Sequence, residues 1–216
     1  MVIRHYENVR KAIGEDTDLC VVSKKRSIEE IRSYYEAGER IFGENHAQEL
    51  LEKVPQLPMD IQWHFIGHLQ RNKVKSILPI ISCIQSLDSY ELADAIEKEA
   101  AKINKTIPVL LEFHMASTDT NKTGHDPSDA LPFAKYCMDK PHLEVGGIMV
   151  MGPHTDDTKA IEAVFVQAHD LFVELQSIYS KETIHTLSMG MSSDYKTAIK
   201  CGTTMVRIGT YLFEED

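Results

Sequence analysis

Two groups of residues that lie far apart in the sequence could together bind an aldehyde that carries a phosphate. Lys24 follows the apolar run 19–23 (LCVVS) and would present an amine at the end of a strand. Towards the C-terminus, residues 188–193 (SMGMSS) and 207–210 (RIGT) offer hydroxyls and backbone N–H groups that suit a phosphate. Because an amine and an aldehyde form a Schiff base, the combination points to pyridoxal 5'-phosphate (PLP).

Lys24 is the first of three consecutive cations, 24–26 (KKR), and such a run is usually a solvated basic turn. Strand alternation supports another interpretation, because it would carry Val22 and Lys24 to the same face, toward the interior of a barrel. Burial and the neighbouring Lys25 would then both favour the neutral amine that Schiff-base formation requires. Lys24 alone indicates little, and it gains weight from the two phosphate segments.

Residues 188–192 follow an apolar run and precede a predicted helix over 194–200. At such a strand-to-helix turn, the hydroxyls of Ser188 and Ser192 and the backbone N–H groups would form an anion site. The alternative is an ordinary helix cap by Ser192 or Ser193. A cap and a phosphate ligand use the same geometry, so both roles are compatible.

Arg207 lies within the apolar run 205–209 (MVRIG). We therefore expect its guanidinium to point inward at the rim, where it could donate to a ring nitrogen or to a phosphate, rather than to form a surface salt bridge. Gly209 permits close approach of the backbone to a ligand, and Thr210 adds a hydroxyl.

Asn45 and Ser86 are polar residues at two further predicted strand ends, and each could face a ligand or play a local structural role. His64 and His68 are four residues apart, which is a spacing used by zinc ligands on a helix. Gly67 and the strand-like run around it break the helical face that this spacing requires. The sequence therefore predicts no metal site.

Short apolar runs alternate with amphipathic segments along the chain. The strand candidates are 19–23, 40–43, 61–66, 82–87, 107–113, 145–151, 184–188 and 204–208. Ser27 and Asp88 each precede a Glu by three residues, the pattern of a capping box, and residues 157–179 carry an apolar stripe. These patterns predict a (β/α)8 TIM barrel that forms a single domain over residues 1–216. An open doubly wound sheet is the alternative, but no GxGxxG motif follows the first strand.

In such a barrel, chemistry occurs at the C-terminal ends of the strands, and phosphate sites often use the loops after strands seven and eight. The residues predicted at or just after strand ends are Lys24, Asn45, Gly67, Ser86, Met149, Ser188 and Gly209. The two segments that suit a phosphate follow the seventh and eighth predicted strands. Residue type and position in the fold therefore agree.

Composition excludes several classes of function. The net charge of -10 argues against non-specific binding of nucleic acid, which needs a basic surface. No apolar run approaches the roughly 20 residues that span a bilayer, and the N-terminus lacks the apolar region of a signal peptide. The four cysteines are widely spaced, without a CxxC pair, as expected for reduced thiols in a cytoplasmic protein.

Several motifs occur in order along the chain. They are VSK ending at Lys24, FGEN ending at Asn45, WHFIGxLQxNK ending at Lys73, SLD from Ser86, LSMGMSxD ending at Asp194 and MVRIGT ending at Thr210. Together they resemble the pyridoxal phosphate homeostasis protein family, which is similar to the N-terminal barrel of bacterial alanine racemase. The match extends from about Leu19 to Phe213, and LSMGMS is its most specific part.

The resemblance implies a barrel that holds PLP as a Schiff base on Lys24. It further implies phosphate contacts from Ser188, Ser192, Gly209 and Thr210, a pyridine-nitrogen contact from Arg207, packing of Met149 on the ring, and a pocket lined by Asn45 and Ser86. The chain departs from the family pattern in residues 113–124, where His114 stands in place of a common Asn. Any pocket role of Lys122 is therefore left open.

Family members carry, buffer or deliver the cofactor, so we expect a cytoplasmic, monomeric carrier without catalytic residues, whose partners are PLP and PLP-dependent apo-enzymes. The runner-up is a PLP-dependent enzyme with weak amino-acid racemase activity, and a third hypothesis is a phosphosugar enzyme that uses Lys24 as an aldolase-type amine. The carrier is favoured because Arg207 at the ring nitrogen would make the ring a poorer electron sink. A racemase also needs a second acid/base residue, and we expect no domain after Asp216 to supply it.

Overall fold

The computed structural model describes residues 4–115 and 123–214. Its strands are β1 Asp18–Val22, β2 Ile41–Glu44, β3 Gln62–Phe65, β4 Cys83–Leu87, β5 Ile107–Phe113, β6 Leu143–Val150, β7 Thr186–Ser188 and β8 Met205–Ile208. Its α-helices are α1 Arg4–Ile13, α2 Ile28–Glu36, α3 Ala47–Lys53, α4 Val74–Ile77, α5 Tyr90–Lys102, α6 Ala130–Met138, α7 Thr158–Tyr179, α8 Tyr195–Lys200 and α9 Thr210–Phe213. Within the described residues the eight parallel strands close into a barrel in sequence order. The predicted (β/α)8 barrel is confirmed.

The sheet has an apolar layer on each side. Leu19 and Val21 belong to the large core between the strands and the surrounding helices. Cys83, Leu110 and Met149 form a separate buried cluster inside the barrel. This division follows from strand alternation, which sends successive side chains to opposite faces of the sheet.

Local capping chemistry sets the start of α2 as the sequence predicted. The Ser27 hydroxyl oxygen accepts a hydrogen bond from the Glu30 N–H at 3.2 Å, and the Glu30 carboxylate accepts one from the Ser27 N–H at 2.7 Å. These reciprocal bonds satisfy backbone donors that the first turn of a helix leaves unpaired. The second predicted capping box, at Asp88, is wrong. Because α5 begins at Tyr90 with Ser89 as its N-cap residue, Asp88 lies outside the helix and accepts from the Ser89 hydroxyl at 3.0 Å.

The strand order brings the two ends of the chain together. β1 pairs with both β2 and β8, so Cys20 lies opposite Arg207. β7 pairs with β8, and Ser188 lies opposite Met205. The loops after β1, β7 and β8 are therefore neighbours on one rim, although they are far apart in the sequence.

Strand ends differ from the predicted ones by one or two residues at most positions. β7 covers Thr186–Ser188 instead of 184–188. Side chains just before β8 make hydrogen bonds to the β7 backbone that strand pairing would otherwise supply. The Thr204 hydroxyl oxygen accepts from the Leu187 N–H at 2.8 Å, and the Thr203 hydroxyl donates to the Leu187 carbonyl oxygen at 2.9 Å.

Candidate functional site

Lys24 lies two residues beyond Val22, the last residue of β1, in a tight turn. The turn is closed by the Arg26 N–H, which donates to the Ser23 carbonyl oxygen at 3.0 Å. Lys25 has a positive φ of 60° within it. The Lys24 side chain is exposed, so the predicted burial is wrong. Alternation stops where β1 ends, and it therefore does not fix the direction of a side chain in the following turn.

Lys24 lines a cavity of about 470 Å³ at the C-terminal ends of β1, β7 and β8. The predicted site residues in its lining are Lys24, Ser192, Arg207, Gly209 and Thr210. The other lining residues are Val22, Met191, Ser193, Tyr211 and Glu214. The rim thus brings the amine and the hydroxyls of both phosphate segments to one opening.

A glycine and a buried carboxylate shape the loop after β7. Gly190 has a φ of 97°, and a Cβ there would lie 2.6 Å from a side-chain atom of α8. Asp194 is the N-cap residue of α8, and its carboxylate accepts from the Met191 N–H at 2.5 Å. The alternative of a helix cap by Ser192 or Ser193 is therefore wrong. Both serines precede the cap, and both line the cavity.

Ser192 links this loop to the segment after β8. Its hydroxyl oxygen accepts from the Tyr211 N–H at 3.1 Å, and a hydroxyl in this position can still donate its hydrogen to an anion. Gly209 packs against the end of β1, since a Cβ there would lie 3.0 Å from the Cβ of Val22. This close packing of backbones keeps Ser192 and Thr210 at the same opening as Lys24.

Arg207 forms the buried side of the cavity, with 4% of its surface exposed. Its guanidinium donates to the carbonyl oxygen and the hydroxyl oxygen of Ser188, at 2.8 and 2.7 Å, and to the Val150 carbonyl oxygen at 3.0 Å. Burial lowers the pKa of Arg207, and the negative charges of Glu112 and Asp194 act in the opposite direction. A guanidinium nevertheless stays protonated in proteins. Arg207 therefore presents a positive charge to the cavity.

Behind Arg207, hydrogen bonds between uncharged side chains cross the interior of the barrel. Ser188 donates to Gln85 Oε1 at 2.7 Å, and Gln85 Nε2 lies 2.8 Å from His64 Nδ1. Burial lowers the pKa of His64 to about 4, so the ring is neutral at pH 7 and its Nδ1 accepts from the amide. Sequence reasoning missed Gln85, although alternation from the outward-facing Ile84 would have placed it inside the barrel.

Two predicted site residues lie deeper than the lining of the cavity. Ser188 is fully buried, and its hydroxyl is already bonded to Gln85 and Arg207. Met149 is 1% exposed and belongs to the cluster inside the barrel. Both therefore lie behind the surface that Lys24 and Thr210 share.

Asn45 and Ser86 lie at the ends of β2 and β4, outside the lining of this cavity. Asn45 lines a neighbouring cavity of about 270 Å³, and Ser86 is fully buried near the end of β4. Among the described residues, Asn45 Oδ1 and Ser86 Oγ are buried atoms without a hydrogen-bond partner. Because an unpaired buried polar atom is unfavourable, both positions suit a bound polar group. Lys122 lies outside the described residues.

The donor set fits a phosphorylated aldehyde. It combines an exposed amine, a buried cation, two hydroxyls at the rim and two buried polar atoms that lack partners. In residues 4–115 and 123–214, no group of three or more His, Cys, Asp or Glu side chains could hold a metal ion. Over the same residues, no helix has both the length and the apolar character needed to cross a membrane.

Comparisons with known proteins place this site in a wider context. The family model of the alanine racemase N-terminal domain matches residues 2–215. The pyridoxal phosphate homeostasis protein of Pasteurella multocida is 38% identical over 214 residues, which cover 98% of this chain and 91% of that protein. The structure of PipY from Synechococcus elongatus without PLP has a TM-score of 0.92 at 32% identity and covers 99% of this chain and 100% of that one. With PLP bound, the same protein gives a TM-score of 0.88 at 31% identity and the same coverage.

Proposed function

The chain belongs to the pyridoxal phosphate homeostasis proteins within the alanine racemase N-terminal domain family, and we propose that it binds PLP and carries or buffers it in the cell. One observation carries the proposal. The Lys24 amine shares a single cavity with Ser192, Gly209 and Thr210, beside the buried guanidinium of Arg207. This arrangement offers a partner to both the aldehyde and the phosphate of the cofactor.

Lys24 would hold the aldehyde. An amine at this position would supply the Schiff-base linkage to that aldehyde. The hydroxyls of Ser192 and Thr210, with the backbone at Gly209, would hold the phosphate. Ser188 would be the deepest of the phosphate contacts, since its hydroxyl already donates to Gln85 and accepts from Arg207.

The remaining residues would contact the ring and its substituents. Arg207 would face the pyridine nitrogen, and because the guanidinium keeps its proton, that nitrogen would stay unprotonated. Met149 would pack on the ring. In the pocket, the unpaired amide oxygen of Asn45 would accept a hydrogen bond, and the Ser86 hydroxyl would accept or donate one.

We infer that turnover is weak or absent. PLP supplies an electron sink when it is bound, and an unprotonated ring nitrogen makes that sink weaker. The test is to incubate the loaded protein with L-alanine and with D-alanine and to follow the exchange of enantiomers. Rapid exchange that disappears in Lys24→Ala would favour the alternative, an amino-acid racemase.

Cofactor binding is tested with the absorbance spectrum of the purified full chain. We expect a yellow protein with a Schiff-base band that is absent in Lys24→Ala. Lys25→Ala is the matched control, because it removes the adjacent exposed lysine and should keep the band. A colourless wild-type protein that takes up no added PLP would contradict the proposal.

We further propose a single-domain, monomeric carrier that acts in the cytoplasm and delivers PLP to apo-enzymes. The guanidinium and the rim hydroxyls that line the cavity all belong to this one chain, which supports a site that is complete in one copy. Sedimentation of the loaded protein tests the monomer. Transfer of PLP to an added apo-enzyme, followed by recovery of that enzyme's activity, tests delivery.

A further inference from the structure

A buried ion-pair network lies beneath the turn that carries Lys24. Its cation is Lys53, the last residue of α3, with 7% of its side chain exposed. The ammonium group donates to the carbonyl oxygen of Ser23 at 2.6 Å, to Oε1 of Glu44 at 2.7 Å and to Oε1 of Glu49 at 2.6 Å. An ammonium group has three donors, so these contacts use all of them.

The same network holds the residues on both sides of Lys24. The Ser23 hydroxyl donates to Glu44 Oε1 at 2.7 Å. The backbone N–H of Lys25 donates to Glu49 Oε1, the oxygen that also accepts from Lys53. Residues 23 and 25 are thus fixed to one charged cluster, while the side chain between them extends to the cavity.

The central pair of this cluster is buried. Glu44 is 0% exposed and Lys53 is 6% exposed. Burial raises the pKa of Glu44, and hydrogen bonds from Lys53 and Ser23 oppose that rise. A buried ion pair gives little or no net stability over apolar side chains of the same size. Its contribution here is a fixed direction for the backbone that precedes and follows Lys24.

We propose that Lys53, with Glu44 and Glu49, is a positioning residue for Lys24. The network fixes the backbone of residues 23–25, so that the amine enters the cavity at the place where the aldehyde is held. The inference rests on the proposed function, because the group that Lys24 meets is the cofactor. Lys53 itself does not line the cavity.

Glu49→Ala is the most informative variant. The Glu49 side chain is 22% exposed, and its removal leaves the Glu44–Lys53 pair in place, so the chain is expected to fold. We expect PLP, titrated at the Schiff-base band, to bind about 10-fold more weakly, which is the size of one lost charged hydrogen bond. Glu49→Gln keeps an oxygen that can accept from Lys25 and should recover most of the affinity. Wild-type affinity in Glu49→Ala would overturn the inference.

Hydrogen exchange of the PLP-free protein tests the positioning separately from the proposed function. The Lys25 amide should exchange faster in Glu49→Ala than in the wild type. Leu175→Ala, a buried substitution in α7 far from the turn, should lower stability without that local effect. Unchanged protection of Lys25 in Glu49→Ala would overturn the positioning role. A wild type that takes up no PLP would overturn the proposed function, and the exchange result would still decide the role of the network.

Discussion

The two sides of the cavity are supported by different chemistry. On the β1 side, the turn at Lys24 rests on a buried ion pair between Glu44 and Lys53. On the β8 side, Arg207 is held by neutral oxygens of Ser188 and Val150. The charge of Lys53 is neutralised by its carboxylate partners, and its role is to hold the turn in place. Arg207 makes its hydrogen bonds to uncharged groups and keeps a net positive charge that a ligand can use.

The largest expected effect on stability comes from removing the Lys53 ammonium group on the β1 side. Lys53→Met leaves the Glu44 carboxylate buried without its partner, so the free energy of unfolding should fall by about 3–5 kcal/mol. Urea denaturation measures the loss. The matched control is Lys102→Met, whose side chain is 55% exposed and pairs with Glu99 on the surface. Equal midpoints for the two variants would contradict the difference drawn between buried and exposed pairs.

His64, behind Arg207, and Glu44, beneath Lys24, should change the free energy of unfolding with pH in opposite directions. Burial lowers the pKa of His64 from 6.5 to about 4, so the unfolded chain binds more protons between these values. Stability from this group is complete above pH 6.5 and falls by about 3 kcal/mol as the pH drops to 4. Burial raises the pKa of Glu44 above its ordinary 4.5, and this acts in the other direction: the folded chain holds the proton more tightly, so stability decreases as the pH rises from 4.5 through the raised pKa.

His64→Gln separates the two contributions. A glutamine oxygen can still accept from Gln85 but does not titrate, so the acid-side loss between pH 6.5 and 4 should be smaller in this variant. Thermal or urea unfolding across that range gives the comparison. An identical pH profile for the variant and the wild type would show that His64 is not the group responsible.

A smaller effect is expected from breaking the hydrogen bonds that join Ser188, Gln85 and His64. Gln85→Leu leaves His64 Nδ1 and the Ser188 hydroxyl without their partner, and one unsatisfied buried group costs about 1–3 kcal/mol. The control is Gln62→Leu on β3, where the side chain is exposed and the change should stay within about 0.5 kcal/mol. Denaturant midpoints of both variants test this. PLP affinity should fall only in Gln85→Leu, because Ser188 then no longer has a fixed acceptor.

The smallest effect should come from a residue near Lys24 that belongs to neither support. Ser27→Ala removes the capping box of α2 and should lower the free energy of unfolding by about 1 kcal/mol. The affinity for PLP should not change. A loss of affinity in this variant would mean that the position of Lys24 depends on α2 as well as on the ion-pair network.

The sequence predicted the parts of the fold that depend on local chemistry. The capping box at Ser27 and the apolar stripe of α7 are short-range patterns, and both appear as predicted. The alternation of strands and helices was enough to predict the closed barrel. Asp88 shows the limit of such patterns, because the same spacing to a Glu occurs there one residue before the true N-cap.

The site was less predictable because its supports depend on contacts between distant residues. The direction of Lys24 follows from a turn beyond β1, which strand alternation does not describe. Lys53 ends an amphipathic helix, where a lysine is usually solvated, and only the tertiary structure brings it beneath Ser23. Gln85 had a local signal, since it stands in a strand whose faces are both buried. A polar residue in such a strand requires a partner inside the barrel.

The exposure of Lys24 also determines how a bound cofactor would leave. Its side chain lies at the open rim, so water reaches the nitrogen without any movement of the barrel. Water at this opening would add to the carbon of a Schiff base and release the lysine amine and the aldehyde, and a second amine from solvent or from an acceptor protein would take the cofactor by attack on the same carbon. On the proposed function, loading and unloading would form one reversible equilibrium, and the occupied fraction of the protein would follow the concentration of free PLP.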